Sequence, residues 1–214
     1  ILGHQNQAPQ SSQGSSAYDL SKCKTGADAN KYLECRIVAT GNSVDGVWSQ
    51  LLKGYTPPKI RLFRGQVNTA CGPADTSVGP FYCPVDEKIY IDPAFFSELD
   101  EFGLENPENK NLAQMYIVAH EFGHHIQNLE GTLGLSDYNN PGADSNAVKI
   151  ELQADCYAGL WASYADKGDN PLLEPITKEQ VSDAVAAAQA VGDDNIQRRS
   201  GGQVQPDSWT HGSS

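Results

Sequence analysis

The chain is poor in positive charge. Lys and Arg number 15 against 27 Asp and Glu, a formal net charge of -12 over 214 residues. So acidic a surface repels phosphate backbones and anionic headgroups. Nucleic acid is therefore excluded as the main partner, and so is direct binding to an anionic membrane. Long apolar runs are also missing, and none is long enough to cross a bilayer. No secretory signal is visible, because Ile1-Leu2-Gly3 leads straight into a polar tail. An initiating Met is lacking too, so the chain is expected to be a fragment of a longer precursor. No segment repeats. Residues 1–16 are rich in Gln, Ser, Gly and Asn and are expected to be a disordered linker. That leaves residues 17–214 as a single domain large enough for a real core.

Cysteine is sparse but pointedly placed: Cys23, Cys35, Cys71, Cys83 and Cys156. Cys71 and Cys83 flank a Gly/Pro-rich loop with few other constraints, and a bridge there would stabilise the fold by about 3 kcal/mol through loop closure. Cys23 and Cys35 are expected to form a second bridge. Cys156 lies in an apolar helix and reads as a buried free thiol. The competing reading is five reduced core cysteines in a cytosolic protein. The oxidised, extracytoplasmic reading (periplasmic, cell-surface or secreted) is the favoured one.

Apolar periodicity predicts helices over 26–40 and 44–53, with Gly41-Asn42 breaking the chain between them. Ile60–Phe63 and Lys88–Ile91 read as strands. Asp92-Pro93 is a cap followed by Pro at the first helical position, so a helix is expected from there to Phe102, stopped by Gly103. Further helices are predicted over 108–129 and 145–166, the latter apolar nearly all round from Ala154 to Ala162 and so expected to be buried. Residues 130–144 read as a long surface loop. Within it Asp137–Gly142 hints at a calcium loop but fails the pattern, since Pro141 occupies a ligand position. Thr177-Lys178-Glu179-Gln180 is a capping box, opening a last helix that ends near Gly192. The class is α+β, mostly helical, with a small antiparallel sheet.

The chemistry concentrates in His120-Glu121-Phe122-Gly123-His124. Residues four apart on a helix lie one above the other, so the two imidazoles converge. Neutral imidazoles at that spacing bind Zn²⁺, and Glu121 stands beside the ion as a general base. The same pentapeptide also occurs on solvated helix faces. What favours a metal is Glu151-Leu152-Gln153-Ala154-Asp155 downstream, two carboxylates on one face of an apolar helix. Glu151 is the expected third ligand, with Asp155 as the alternative. In the preferred arrangement Asp155 accepts from the non-ligating nitrogen of His120. Three protein ligands leave a fourth position for water, the mark of a catalytic site. His211 is the candidate donor to the developing oxyanion, against the simpler reading of a C-terminal surface histidine. His125 points about 100° away from His124 and reads as structural; His4 lies in the linker and carries no weight.

These stretches, together with Gly79-Pro80-Phe81-Tyr82-Cys83-Pro84, Gly192-Asp193-Asp194, Pro206-Asp207-Ser208 and Thr210–Ser214, resemble the bacterial neutral zinc metallopeptidase family over most of residues 23–214. The resemblance implies a zincin-like fold with the metal on His120, His124 and Glu151 and with Glu121 catalytic. It also implies that an edge strand pairs with an extended peptide or protein substrate, and Lys88–Ile91 is the candidate. Many family members carry one membrane-spanning helix before a polar linker. Ile1-Leu2 is thus the expected remnant of an anchor, and membrane contact is expected only through it. Family members also continue past Ser214, so trimming at both ends is expected. Oligomeric state is not implied. The leading expectation is a zinc endopeptidase. The alternatives are a non-hydrolytic zinc-binding interaction module and a hydrolase of a non-peptide amide such as cell-wall material.

Overall fold

The computed structural model describes residues 18–102, 106–136, 145–168 and 171–190. Five α-helices and five strands lie in these segments. In chain order they are α1 (Gly26–Lys31), α2 (Leu33–Leu51), β1 (Lys59–Leu62), β2 (Gln66–Thr69), β3 (Gly72–Asp75), β4 (Phe81–Cys83), β5 (Lys88–Ile91), α3 (Pro107–Glu130), α4 (Asn146–Ala165) and α5 (Lys178–Ala190). The α+β class holds, with helix predominant.

Helix α3 is the centre of the molecule. Every residue from Leu112 to Gln127 is buried, so the helix has no solvated stripe along this stretch. It packs against α2, α4 and α5, and under β4. Polar side chains tie these layers. Arg36 of α2 donates to Gln114 of α3 at 2.6 Å, and Asn109 of α3 to Asp183 of α5 at 2.7 Å. Trp161 of α4 donates its indole N–H to Ser43 of α2. Side chains cap both later helices, and the Thr177–Gln180 box is the one the sequence predicts. Ser145 accepts from the Val148 N–H at the start of α4, and Thr177 and Gln180 bond reciprocally at the start of α5.

Gly41-Asn42 does not break the chain. Helix α2 runs straight through it, and the interruption comes earlier, at Tyr32, whose backbone is extended between α1 and α2. The glycine serves close packing: a Cβ at Gly41 would lie 2.7 Å from Ile60 Cδ1, where α2 crosses β1. Pro93–Phe102 is a run of 3-10 turns and not an α-helix. Asp92 caps Ala94 as expected, but its other oxygen accepts from the Gly65 N–H and the Thr76 hydroxyl, so this buried carboxylate also fastens two distant turns.

The main sheet has the order β1-β5-β4 and is mixed, β1 pairing parallel with β5 and β4 antiparallel, while β2 and β3 form a separate short antiparallel sheet. Lys88–Ile91 is therefore the central strand, with both edges occupied, and the expectation that it pairs with substrate is overturned. Its Ile89, Tyr90 and Ile91 are all buried, the pattern of a strand covered on two faces. Tyr82, Ile89 and Ile91 join the helical core. Phe63, Phe81, Cys83 and Tyr90 form a second cluster on the opposite face, against Val67 and Ala74 of the β2–β3 hairpin. The hairpin and β4 went unseen in the sequence, which offers only short Gly/Pro-rich runs there. Cys71–Cys83 staples that hairpin to β4, and Cys23–Cys35 joins α2 to the segment before α1. Cys156 is free, as expected, but exposed. Helix α4 buries only the face that carries Ala154, Ala158, Trp161 and Ala162; Leu152, Cys156, Leu160 and Tyr164 face outward. Among the described residues, no helix is long and apolar enough to cross a membrane.

One carboxylate in this frame gives a pH-dependent stability. Burial pushes Asp45 of α2 up to about 6 from 3.8, although Tyr55 donates its hydroxyl to it at 2.6 Å. The native state holds this proton more tightly than the unfolded chain does. Stability therefore falls as pH rises from about 4 through about 6 and is then level. Asp45→Asn keeps an acceptor for Tyr55 and removes the buried charge. Thermal melts are expected to show a gain of about 1–2 kcal/mol at pH 8, allowing for partial solvent screening, and none at pH 4.

Candidate metal centre

Two helices supply the site. His120, Glu121 and His124 come from α3; Glu151 and Asp155 come from α4. Their approach depends on Gly123. A Cβ there would lie 2.9 Å from both Cα and O of Ala154, and 3.2 Å from its Cβ. Gly123 and Ala154 thus mark the crossing point, between the two histidines on one helix and between the two carboxylates on the other.

The crossing brings one ligand atom each from His120, His124 and Glu151 within 4.8 Å of one another. Glu151 Oε2 is 3.2 Å from His120 Nε2 and 3.4 Å from His124 Nε2. The two rings stand nearly perpendicular, centroids 4.8 Å apart. All three residues are buried, and Glu121 is fully enclosed.

Each ring is held by its far nitrogen. His120 Nδ1 lies 2.7 Å from Asp155 Oδ1, the pairing expected from the sequence. The Asp155 main chain is held as well, since Tyr116, one turn before His120, donates its hydroxyl to the Asp155 carbonyl. His124 Nδ1 lies 2.9 Å from Gln127 Oε1. Sequence reasoning missed Gln127. The signal was its spacing, three residues after His124 on the same helix face.

His125 is a structural residue. Its Nε2 donates to the Thr56 carbonyl at 2.7 Å and its Nδ1 accepts from the Tyr82 hydroxyl at 2.8 Å, while Asn128 donates to the same hydroxyl. Burial lowers its pKa, consistent with a neutral ring that both donates and accepts. His4, His211 and the 137–142 segment lie outside the described residues.

The donor set fits a divalent cation. Burial works to lower the His120 pKa, but its hydrogen bonds and charge interactions with Asp155 and Glu151 outweigh it and lift the value to about 10. The two carboxylates thus demand positive charge in an enclosed place, and a metal ion meets that demand as a proton does. With Nδ1 of each ring engaged outward, Nε2 of each is the nitrogen presented to Glu151. Two imidazoles and a carboxylate suit zinc and other transition ions better than calcium or magnesium, which take oxygen.

Known proteins agree with this picture. All of residues 1–214 match the family described as "Putative neutral zinc metallopeptidase". The uncharacterized protein Rv2575 of Mycobacterium tuberculosis is 54% identical over 202 residues, covering 92% of this chain and 68% of the relative. The uncharacterized protein YpfJ of Escherichia coli K12 is 38% identical over 194 residues, covering 87% of this chain and 64% of the relative. The chain thus spans about two thirds of the length of these relatives. No solved structure matches it. A match that runs from the first residue to the last, on top of a relative identical at more than half its aligned positions, settles descent: the chain belongs to the neutral zinc metallopeptidase family.

Proposed function

We propose that this protein is a zinc-dependent endopeptidase acting outside the cytoplasm, with His120, His124 and Glu151 as metal ligands and Glu121 as general base. The observation that carries the reading is the convergence of the three donor atoms within 4.8 Å at the crossing of two buried helices. A bound zinc ion supplies a water acidified to a pKa of about 7 and a Lewis acid for the scissile carbonyl. Glu121 accepts the proton of the attacking water and passes it to the leaving amine. Asp155 holds the His120 ring in place, and Tyr116 holds the Asp155 main chain. His211 remains the candidate donor to the charge that develops on the carbonyl oxygen.

With β5 enclosed, the role of pairing with an extended peptide passes to β4. This strand is outermost in the sheet on the side away from β1, and Tyr82 bonds it to His125 of α3. Two disulfides support an oxidising compartment. The test is digestion of an unbiased peptide library with the purified protein, alongside cell-wall amides. Cleavage of internal peptide bonds is expected, lost on chelation and restored by zinc. Cleavage of cell-wall amides alone would move the reading to the non-peptide substrate. Zinc uptake with no cleavage of either would move it to a binding module.

A further inference from the structure

The amide of Gln127 has a fixed polarity. It is fully buried, and its Nε2 lies 2.7 Å from the Ile150 carbonyl and 2.9 Å from Gln153 Oε1, both on α4. Both of its hydrogens are spent on those acceptors. Its oxygen is therefore the atom that faces His124 Nδ1, and an oxygen there accepts only from a protonated nitrogen. His124 is thereby held with a proton on Nδ1 and with Nε2 turned toward Glu151. The same amide grips the carbonyl of the residue immediately before Glu151.

We infer that Gln127 is the positioning residue of the centre: one side chain sets the tautomer of His124 and the spacing between the two ligand-bearing helices. Asp155 on α4 orients the His120 ring on α3 and so also links the helices, but with an acidic group. Gln127 orients its ring with a neutral group and adds a further tie between the helices, on the carbonyl next to Glu151. This role rests on the reading of His120, His124 and Glu151 as a metal site. It goes beyond that reading by adding a residue that touches no ion.

Two substitutions separate the tasks. Gln127→Met keeps the volume and removes both the acceptor and the donors. Gln127→Glu keeps an acceptor for His124 and loses the donors to α4. Zinc affinity is measured by chelator competition on the purified protein, with the melting temperature of the metal-free form read in parallel. Gln127→Met is expected to weaken zinc binding by about 10- to 100-fold, with Gln127→Glu recovering most of it. Both variants are expected to melt lower than the parent without metal, since both lose the tie. Equal zinc affinity in Gln127→Met and the parent overturns the inference, as does an equal loss in both variants, which would mean packing alone.

A measurement on the parent protein needs no variant to fold. Long-range proton–nitrogen correlation spectra of the metal-free protein are expected to show a proton on His124 Nδ1, and a bare Nδ1 overturns the inference. The metal site itself is checked by zinc uptake of the parent. A parent that takes up no zinc sinks the site along with its positioning residue, whereas normal uptake with unaffected variants sinks Gln127 alone.

Discussion

Glu121→Gln is expected to abolish most peptide cleavage and leave zinc in place. Glu121 is enclosed in α3, directly after His120. The amide matches the carboxylate in shape and in helix propensity, so the crossing of α3 and α4 and the three donor atoms stay as they are. What is lost is a group able to accept and return a proton. General-base assistance contributes about 10²–10⁴-fold, and kcat/KM on a cleaved peptide is expected to fall by that much. Bound zinc, counted by atomic absorption, is expected to equal that of the parent. Cleavage within a few-fold of the parent would place the base elsewhere. Loss of zinc would show that Glu121 helps hold the site together.

The second large effect concerns a residue with no side chain. Gly123→Ala puts a carbon 2.9 Å from the Ala154 main chain, a separation real side chains do not tolerate. Neither neighbour is a flexible tip that swings away; both are backbone of a packed helix. The two helices must separate, and Glu151 moves with α4. Overpacking costs about 1–3 kcal/mol, against which alanine returns about 1 kcal/mol of helix propensity. The melting temperature is expected to drop by about 2–6 °C, and zinc affinity by at least about tenfold, because the carboxylate is displaced from the histidines. Gly46→Ala on α2 is the control. Nothing lies within 4 Å of the added carbon there, so propensity acts alone and a small gain in stability is expected. If Gly123→Ala behaved like Gly46→Ala, the two helices would have slack between them.

These two residues show what the sequence discloses and what it withholds. Ligand spacing is local: His120 and His124 share a helix face whatever surrounds them, and Glu151 and Asp155 likewise. That is why four side chains from two helices were legible, and why the caps at Asp92 and Thr177 and both disulfides were too. Gly123 and Gly41 look like weak points in a helix because their purpose lies in another element. Gly123 makes room for Ala154 and Gly41 for Ile60, and neither partner is near in sequence. The same limit hid the β2–β3 hairpin and β4, which owe their order to Cys71–Cys83 and to the turns fastened by Asp92. It also misplaced β5, because alternation marks a strand without saying which neighbours flank it. Cys156 was misjudged because composition alone makes α4 look enclosed, whereas only one face meets the core.

The burial of α3 from Leu112 to Gln127 has a kinetic corollary. Amide hydrogens along such a segment exchange with solvent only when the whole molecule opens. The histidine pair therefore rides on backbone that is expected to exchange slowly. Loss of the two histidine ligands through local fraying of α3 is therefore not expected, and slow exchange over residues 112–127 is the observation that checks it.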